Sequence, residues 1–186
     1  MLRFTPTQES PRAPLMIEHR LIERMIEQIE KALTGIKEEK KVDPVFIDTA
    51  VDFIRTYADR THHGKEEDIL FRDLGKKRLS ADDERVMKEL IAEHVIARNT
   101  TRALVEANDR YRHGDHSALT VLAEKLSALV ALYPKHIEKE DKLFFPSCRA
   151  YMSEEEEQRM LDAFWEFDRE MIHEKYRTIV EGLETD

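Results

Sequence analysis

The chain has 186 residues, of which 41% are hydrophobic and 37% charged, with a formal net charge of −9. This balance predicts one domain spanning residues 1–186 and excludes a disordered chain, and the acidic surface excludes nucleic acid as a partner because phosphate binding requires basic residues. No apolar run approaches the roughly 20 residues of a membrane span, and the single cysteine and the absence of a signal peptide predict a cytoplasmic protein.

Hydrophobic periodicity and capping residues predict five helices joined by short connections. After an irregular arm at residues 1–13, they cover residues 14–33, 43–74, 80–112, 116–145 and 153–181. Gly35 is expected to end the first helix and Pro146 the fourth. Short connections make sequential helices antiparallel neighbours, so the expected fold class is all-α. The expected architecture is an antiparallel up-down four-helix bundle at residues 14–146 with an additional C-terminal helix.

A ten-residue motif occurs twice, once in the second predicted helix and once in the fourth. Residues 62–71 read HHGKEEDILF, and residues 136–145 read HIEKEDKLFF. A Glu-His pair precedes each copy, ending at His19 and at His94. These two histidines are 75 positions apart, and the first histidines of the two motifs are 74 positions apart. The chain therefore consists of two related halves, each with one lone histidine and one His-x3-Glu motif.

Four imidazoles and two carboxylates on helices are the ligand set of a dinuclear metal site. Residues i and i+4 share a helix face, so His62 projects with Glu66 and His136 with Glu140. Each histidine has apolar neighbours at helical spacing, where an unpartnered polar group is costly and metal binding would remove that cost. Nitrogen and carboxylate ligands suit iron, zinc or manganese. The candidate metal ligands are His19, His62, Glu66, His94, His136 and Glu140.

Two residues break the repeat. Glu23 follows His19 by one helical turn, whereas Arg98 occupies the equivalent place after His94. Glu23 is either a further metal ligand, which would make the two metals inequivalent, or the partner of Arg98 in an ion pair between helices.

Three residues beside the candidate ligands have two interpretations each. His63 points about 100° away from His62 on a regular helix, which predicts an exposed or outer residue. The alternative is that His63 is the ligand in place of His62, paired with Glu67. Glu18 and Glu93 either orient ligands from outside the site or are solvated carboxylates.

The order of the two lone histidines and the two His-x3-Glu motifs resembles the hemerythrin-like, or HHE cation-binding, family over residues 14–146. The resemblance implies an antiparallel four-helix bundle around two iron ions with an oxo or hydroxo bridge. It also implies that the four histidines are terminal ligands and that Glu66 and Glu140 are bridging carboxylates.

The chain departs from the oxygen-carrying members of that family. Those members have a fifth histidine where this chain has Arg98, and an aspartate at +5 where this chain has Glu140 at +4. Both departures point to the bacterial HHE branch and leave one metal a ligand short. His173, in the fifth helix, is a candidate for that ligand; the alternative is a rim histidine bonded to a carboxylate.

The function implied is that of a non-haem di-iron protein that binds or reacts with O2, peroxide or nitric oxide, in storage, sensing or detoxification. One alternative is an iron or redox sensor that signals to a protein partner through metal-dependent stability of the bundle. Another is a di-iron oxidase or peroxidase-like enzyme, for which no substrate-binding motif is visible. A metal-free structural bundle would bury its ionisable groups without compensation.

Overall fold

The computed structural model describes the backbone of residues 10–184 and the side chains of residues 10–171. Within that part of the chain there are five long helices and no β-strand. They are α1 (Arg12–Glu39), α2 (residues 44–74), α3 (Ala81–Arg112), α4 (residues 118–148) and α5 (Glu154–Glu184). The predicted all-α class, a helical bundle with an additional C-terminal helix, is confirmed. None of the described helices is both long and apolar enough to cross a membrane.

The four bundle helices enclose two apolar clusters with a polar layer between them. α1 packs against α4, α3 packs against both α2 and α4, and α5 lies against the middle of α2. On α1, Leu15 belongs to one cluster and Ile22 to the other, and His19 lies between them. On α3, His94 lies in the same way between Leu90 and Ala97. The candidate ligands therefore form a layer inside the core.

The helix ends predicted at Gly35 and Pro146 lie further along the chain in the structure. α1 continues past Gly35 to Glu39 and ends at Lys40, whose backbone is left-handed with φ 56°. The buried stripe goes on through Ile36, and its packing offsets the roughly 1 kcal/mol cost of a glycine within a helix. α4 continues past Pro146 to Cys148, because that proline lies in the first turn of a new α-helical segment, where its missing N–H is tolerated.

α2 and α4 leave regular α-helical geometry at the two copies of the motif. Ile54–His63 and Glu66–Phe71 in α2, and Glu140–Phe144 in α4, are π-helical. A π turn closes its hydrogen bonds from i to i+5 and is therefore wider than an α turn. Consecutive residues then diverge by less than the roughly 100° of an α-helix. In both halves of the chain, the π-helical segments contain candidate metal ligands.

Candidate metal centre

The side chains of the six predicted ligands meet in the polar layer of the bundle. None is more than 3% exposed. Each of the four bundle helices contributes a histidine, and α2 and α4 each add a glutamate. The structure arranges them, with one further histidine, as two groups whose ligand atoms lie within 4.8 Å of one another.

The first cluster consists of His19, His62, Glu66 and Glu140. The Nε2 atoms of His19 and His62 are 2.9 Å apart. Glu66 Oε1 lies 3.5 Å from His62 Nε2, and Glu140 Oε2 lies 3.2 Å from His19 Nε2. Two imidazole nitrogens and one oxygen from each carboxylate therefore face a common point.

The second cluster consists of His63, His94, His136 and Glu66, and Glu140 also faces it. The Nε2 atoms of His94 and His136 are 3.2 Å apart. Glu66 Oε2 lies 3.4 Å from His94 Nε2, and Glu140 Oε1 lies 3.3 Å from His136 Nε2. Each glutamate therefore directs one oxygen to each cluster, which is the arrangement of two carboxylates that bridge two metal positions.

The prediction that His63 is an exposed or outer residue is wrong. It is 1% exposed, and its ring stacks on His94 with centroids 3.8 Å apart. Its Nδ1 lies 3.4 Å from the Asp59 carboxylate, so Nε2 is the ring nitrogen that can serve as a ligand atom in the cluster. The π-helical turn is the reason, because it lets the consecutive His62 and His63 both face inward. Neither histidine replaces the other: each belongs to a different cluster.

Glu66 and Glu140, the two carboxylates that face both clusters, are buried and lack hydrogen bonds. All four carboxylate oxygens of Glu66 and Glu140 are buried without a hydrogen bond. Burial, and then repulsion from Glu140, raises the pKa of the Glu66 carboxyl well above its ordinary value. An unpaired buried carboxylate is strongly unfavourable, and two cations between the clusters would satisfy all four oxygens at once. The residues present therefore fit a pair of metal ions.

A ring of carboxylates holds the histidines from outside. Each Nδ1–H donates to a carboxylate on a neighbouring helix, which fixes the orientation of the ring and leaves Nε2 facing inward. The distances are 2.6–2.9 Å, and the pairs are His19–Asp141, His62–Glu18, His94–Glu67 and His136–Glu93. Glu18 and Glu93 are therefore orienting residues and not solvated ones.

Cations hold these carboxylates in turn. Lys65 binds Glu18, and Lys139 occupies the same place in the second motif and binds Glu93 at 2.6 Å. Arginines complete the ring: Arg20 binds Asp141, and Arg98 binds both Glu67 and Asp59. The Lys-Glu-[Glu/Asp] part of the motif therefore supplies a cation, a carboxylate that faces both clusters and an orienting carboxylate in each half.

The structure supports neither interpretation of Glu23. It lies outside both clusters and forms a surface ion pair with Arg20 at 2.8 Å, while Arg98 is held by carboxylates of α2. α1 is a regular α-helix here, so the residue four positions after His19 lies at the edge of the buried face. His173 lies beyond residue 171, outside the described side chains.

Comparisons with known proteins identify the family of the chain. The family model described as the hemerythrin HHE cation binding domain matches residues 11–148. Uncharacterized proteins of Mycobacterium bovis and of two strains of Mycobacterium tuberculosis are 25% identical to the chain over 163 residues. The match covers 86% of this chain but 63% of each relative, so the chain spans less than two thirds of their length. No solved structure gives a significant match. Because the family match extends over all four bundle helices, the chain belongs to the hemerythrin HHE cation-binding family.

Proposed function

We propose that this protein binds two iron ions with an oxo or hydroxo bridge and uses them to bind or react with O2, peroxide or nitric oxide. The observation that carries the proposal is the pair of buried glutamates, Glu66 and Glu140. Their four oxygens accept no hydrogen bond and face two separate histidine clusters. The family match supports cation binding, and the donor set suits iron, with zinc or manganese as alternatives.

The two metal positions would be inequivalent. The first cluster offers two imidazoles and the second offers three, since His63 joins only the second. Glu66 and Glu140 would add one oxygen to each position. The first position would therefore keep more open coordination places, which is where a small ligand could bind. Two ferrous ions, when bound, supply the two electrons that reduction of a diatomic ligand requires.

The protein orients the donors and keeps water away from them. The hydrogen bond on each Nδ1 fixes the direction of each imidazole before a metal arrives. Phe145 lies parallel to His19, with centroids 5.8 Å apart, and Phe71 lies parallel to His94 at 6.1 Å. These aromatic rings belong to one of the apolar clusters that border the layer, so the donors lie in a low-dielectric environment.

Metal analysis of protein purified without added metal tests this function, together with an absorption spectrum. We expect two irons per chain and oxo-to-iron charge-transfer bands. Mixing the reduced protein with O2, peroxide or nitric oxide in separate stopped-flow experiments then identifies the ligand that changes the spectrum. One zinc per chain, or no metal at all, would be incompatible with the proposal.

An iron or redox sensor is the second candidate function. The metal-free bundle would contain two buried carboxylates without partners, so its stability is expected to depend strongly on metal. A sensor would use that dependence to present or withdraw a surface for a protein partner. A sensor requires a metal-dependent change in the pattern of limited proteolysis, so an identical pattern with and without iron would exclude that function.

Metal binding is expected to release protons and to become tighter as pH rises. Burial lowers the pKa of His19, but its hydrogen bond to Asp141 and its attraction to the nearby Glu140 carboxylate outweigh that effect and raise the pKa to about 9. Below that pH His19 holds a proton in the metal-free protein, and Glu66 keeps its own proton to a higher pH than an ordinary glutamate. Both must be deprotonated to bind a metal.

Metal affinity should therefore rise about tenfold per pH unit for each proton released. Calorimetric titration in buffers of different ionisation enthalpy measures this release, and a pH-independent affinity would contradict the pKa directions.

Replacing His63 with phenylalanine is expected to weaken one metal position and spare the other. Phenylalanine keeps the stacking on His94 but removes a donor from the second cluster only. Affinity at that position should fall by about 100-fold or more, since losing even an outer partner of a ligand costs roughly 10–100-fold. Zinc titration with a competing chelator measures both affinities. His113→Gln, at an exposed histidine, is the control. Two wild-type affinities in His63→Phe would make His63 a packing residue.

A further inference from the structure

Lys65 is a fully buried lysine that connects α5 to the metal centre. Its Nζ lies 2.8 Å and 3.0 Å from the two carboxylate oxygens of Asp168 on α5 and also binds Glu18 on α1. The ammonium lies 5.9 Å from the centre of the Phe164 ring, also on α5. A buried ammonium is tolerated only with such partners. Asp168 is therefore part of the environment that allows Lys65 to lie inside the protein.

The second half of the centre has no such connection among the described residues. Lys139, the counterpart of Lys65 in the repeat, binds Glu93 at 2.6 Å and Glu89 at 3.4 Å, both on α3. It is 21% exposed, whereas the side chain of Lys65 is 0% exposed. Among the described residues, Glu93, which orients His136, is therefore held by contacts within the bundle. Glu18, which orients His62, is held by a lysine that also pairs with α5.

Phe167 of α5 lies against Gly64 of α2, between His63 and Lys65. A Cβ atom at Gly64 would lie 2.6 Å from Cζ of Phe167, closer than real Cβ contacts. The absence of a side chain at Gly64 therefore allows the Phe167 ring to lie against the backbone of the metal-binding segment. α5 therefore contacts the first copy of the motif at two places, through Phe167 at Gly64 and through Asp168 at Lys65.

We propose that Lys65 and Asp168 are positioning residues that make the docking of α5 a condition for firm metal binding at the first cluster. The inference rests on the proposed two-metal function. Asp168 holds Lys65, Lys65 holds Glu18, and Glu18 holds Nδ1 of His62. Without Asp168, Glu18 is the one carboxylate among the described residues that pairs with the buried ammonium, and the orientation of His62 loosens. By linkage, an ion in the first cluster must favour the docked position of α5.

Release of zinc from the loaded, full-length protein to an excess of chelator tests the proposal. In Asp168→Asn, one of the two ions should leave about 10–100-fold faster than in the wild type, as expected for a lost outer partner of a ligand. The other ion should leave at the wild-type rate. Glu166→Gln, at an exposed glutamate on the same helix, is the matched control and should release both ions at wild-type rates. Anomalous diffraction from partly depleted crystals should show the first cluster empty.

Proteolysis of α5 provides a second, independent measurement. Gly64→Ala should displace Phe167, speed cleavage within α5 and speed release of the same ion. The proposal is overturned if Asp168→Asn releases both ions at wild-type rates. It is also overturned if both ions leave equally faster, since that pattern indicates general destabilisation. Failure of the proposed function would appear differently, as a wild-type protein that does not hold two metal ions, and it would overturn both proposals.

Discussion

Replacing Glu66 with leucine is expected to remove both metal ions, not one. The two oxygens of Glu66 face different clusters, with Oε1 3.5 Å from His62 and Oε2 3.4 Å from His94. Leucine has a similar volume but no donor atom, so each position loses a ligand at once. The affinity of each position should fall by about 100-fold or more, and dialysed protein should contain almost no metal. Asp68→Asn, at an exposed carboxylate two residues further on, is the control and should retain both ions.

The same substitution should have the opposite effect on the metal-free protein. Without metal, Glu66 is a buried carboxylate with no hydrogen bond on either oxygen. Replacing such a group with a hydrophobic one of similar size should raise the free energy of unfolding by about 1–3 kcal/mol. Urea denaturation in the presence of a chelator measures the difference. A leucine variant that keeps one ion would show that Glu66 does not bridge. A metal-free leucine variant less stable than wild type would show that burial of the Glu66 carboxyl is not unfavourable.

Removing metal from the wild-type protein is expected to lower its melting temperature by a large amount. An ion present at 1,000 times its dissociation constant stabilises a fold by about 4 kcal/mol. Two ions contribute about twice that, and 1 kcal/mol corresponds to roughly 2–4 °C in a domain of this size. The melting temperature should therefore fall by about 15 °C or more on addition of a chelator.

Circular dichroism melts with and without metal measure this shift. The Glu66→Leu protein is the matched control, since its melting temperature should not respond to metal. A wild-type protein with the same melting temperature in both conditions would mean that the metal does not stabilise the fold.

The repeat in the sequence predicts most of the layer that the structure shows. The paired His-x3-Glu spacing places His62 with Glu66 and His136 with Glu140, and the structure brings these side chains together. The lone His19 and His94 follow from the constant offset, because two related halves must supply equivalent residues. These predictions depend only on helical periodicity and on the cost of burying polar groups, both of which are local properties.

His63 could not be placed from helical periodicity. A regular α-helix turns His63 away from His62, but the π-helical hydrogen bonds of α2 bring both inward. Such a change in hydrogen bonding is stabilised by tertiary contacts, which the local sequence does not specify. Lys65 and Lys139 occupy the same position in the two motifs, so the sequence indicates that both lysines have the same role. That role could not be predicted, because their partners Glu18 and Glu93 lie on neighbouring helices.

The central claim is that each histidine cluster holds one metal ion and that the two ions share Glu66 and Glu140. Anomalous diffraction at the iron absorption edge, from crystals of the iron-loaded protein, tests it most directly. The account predicts two anomalous peaks per chain, one in the first cluster and one in the second, with both glutamates between them. A single peak, or peaks outside this layer of the bundle, would contradict it.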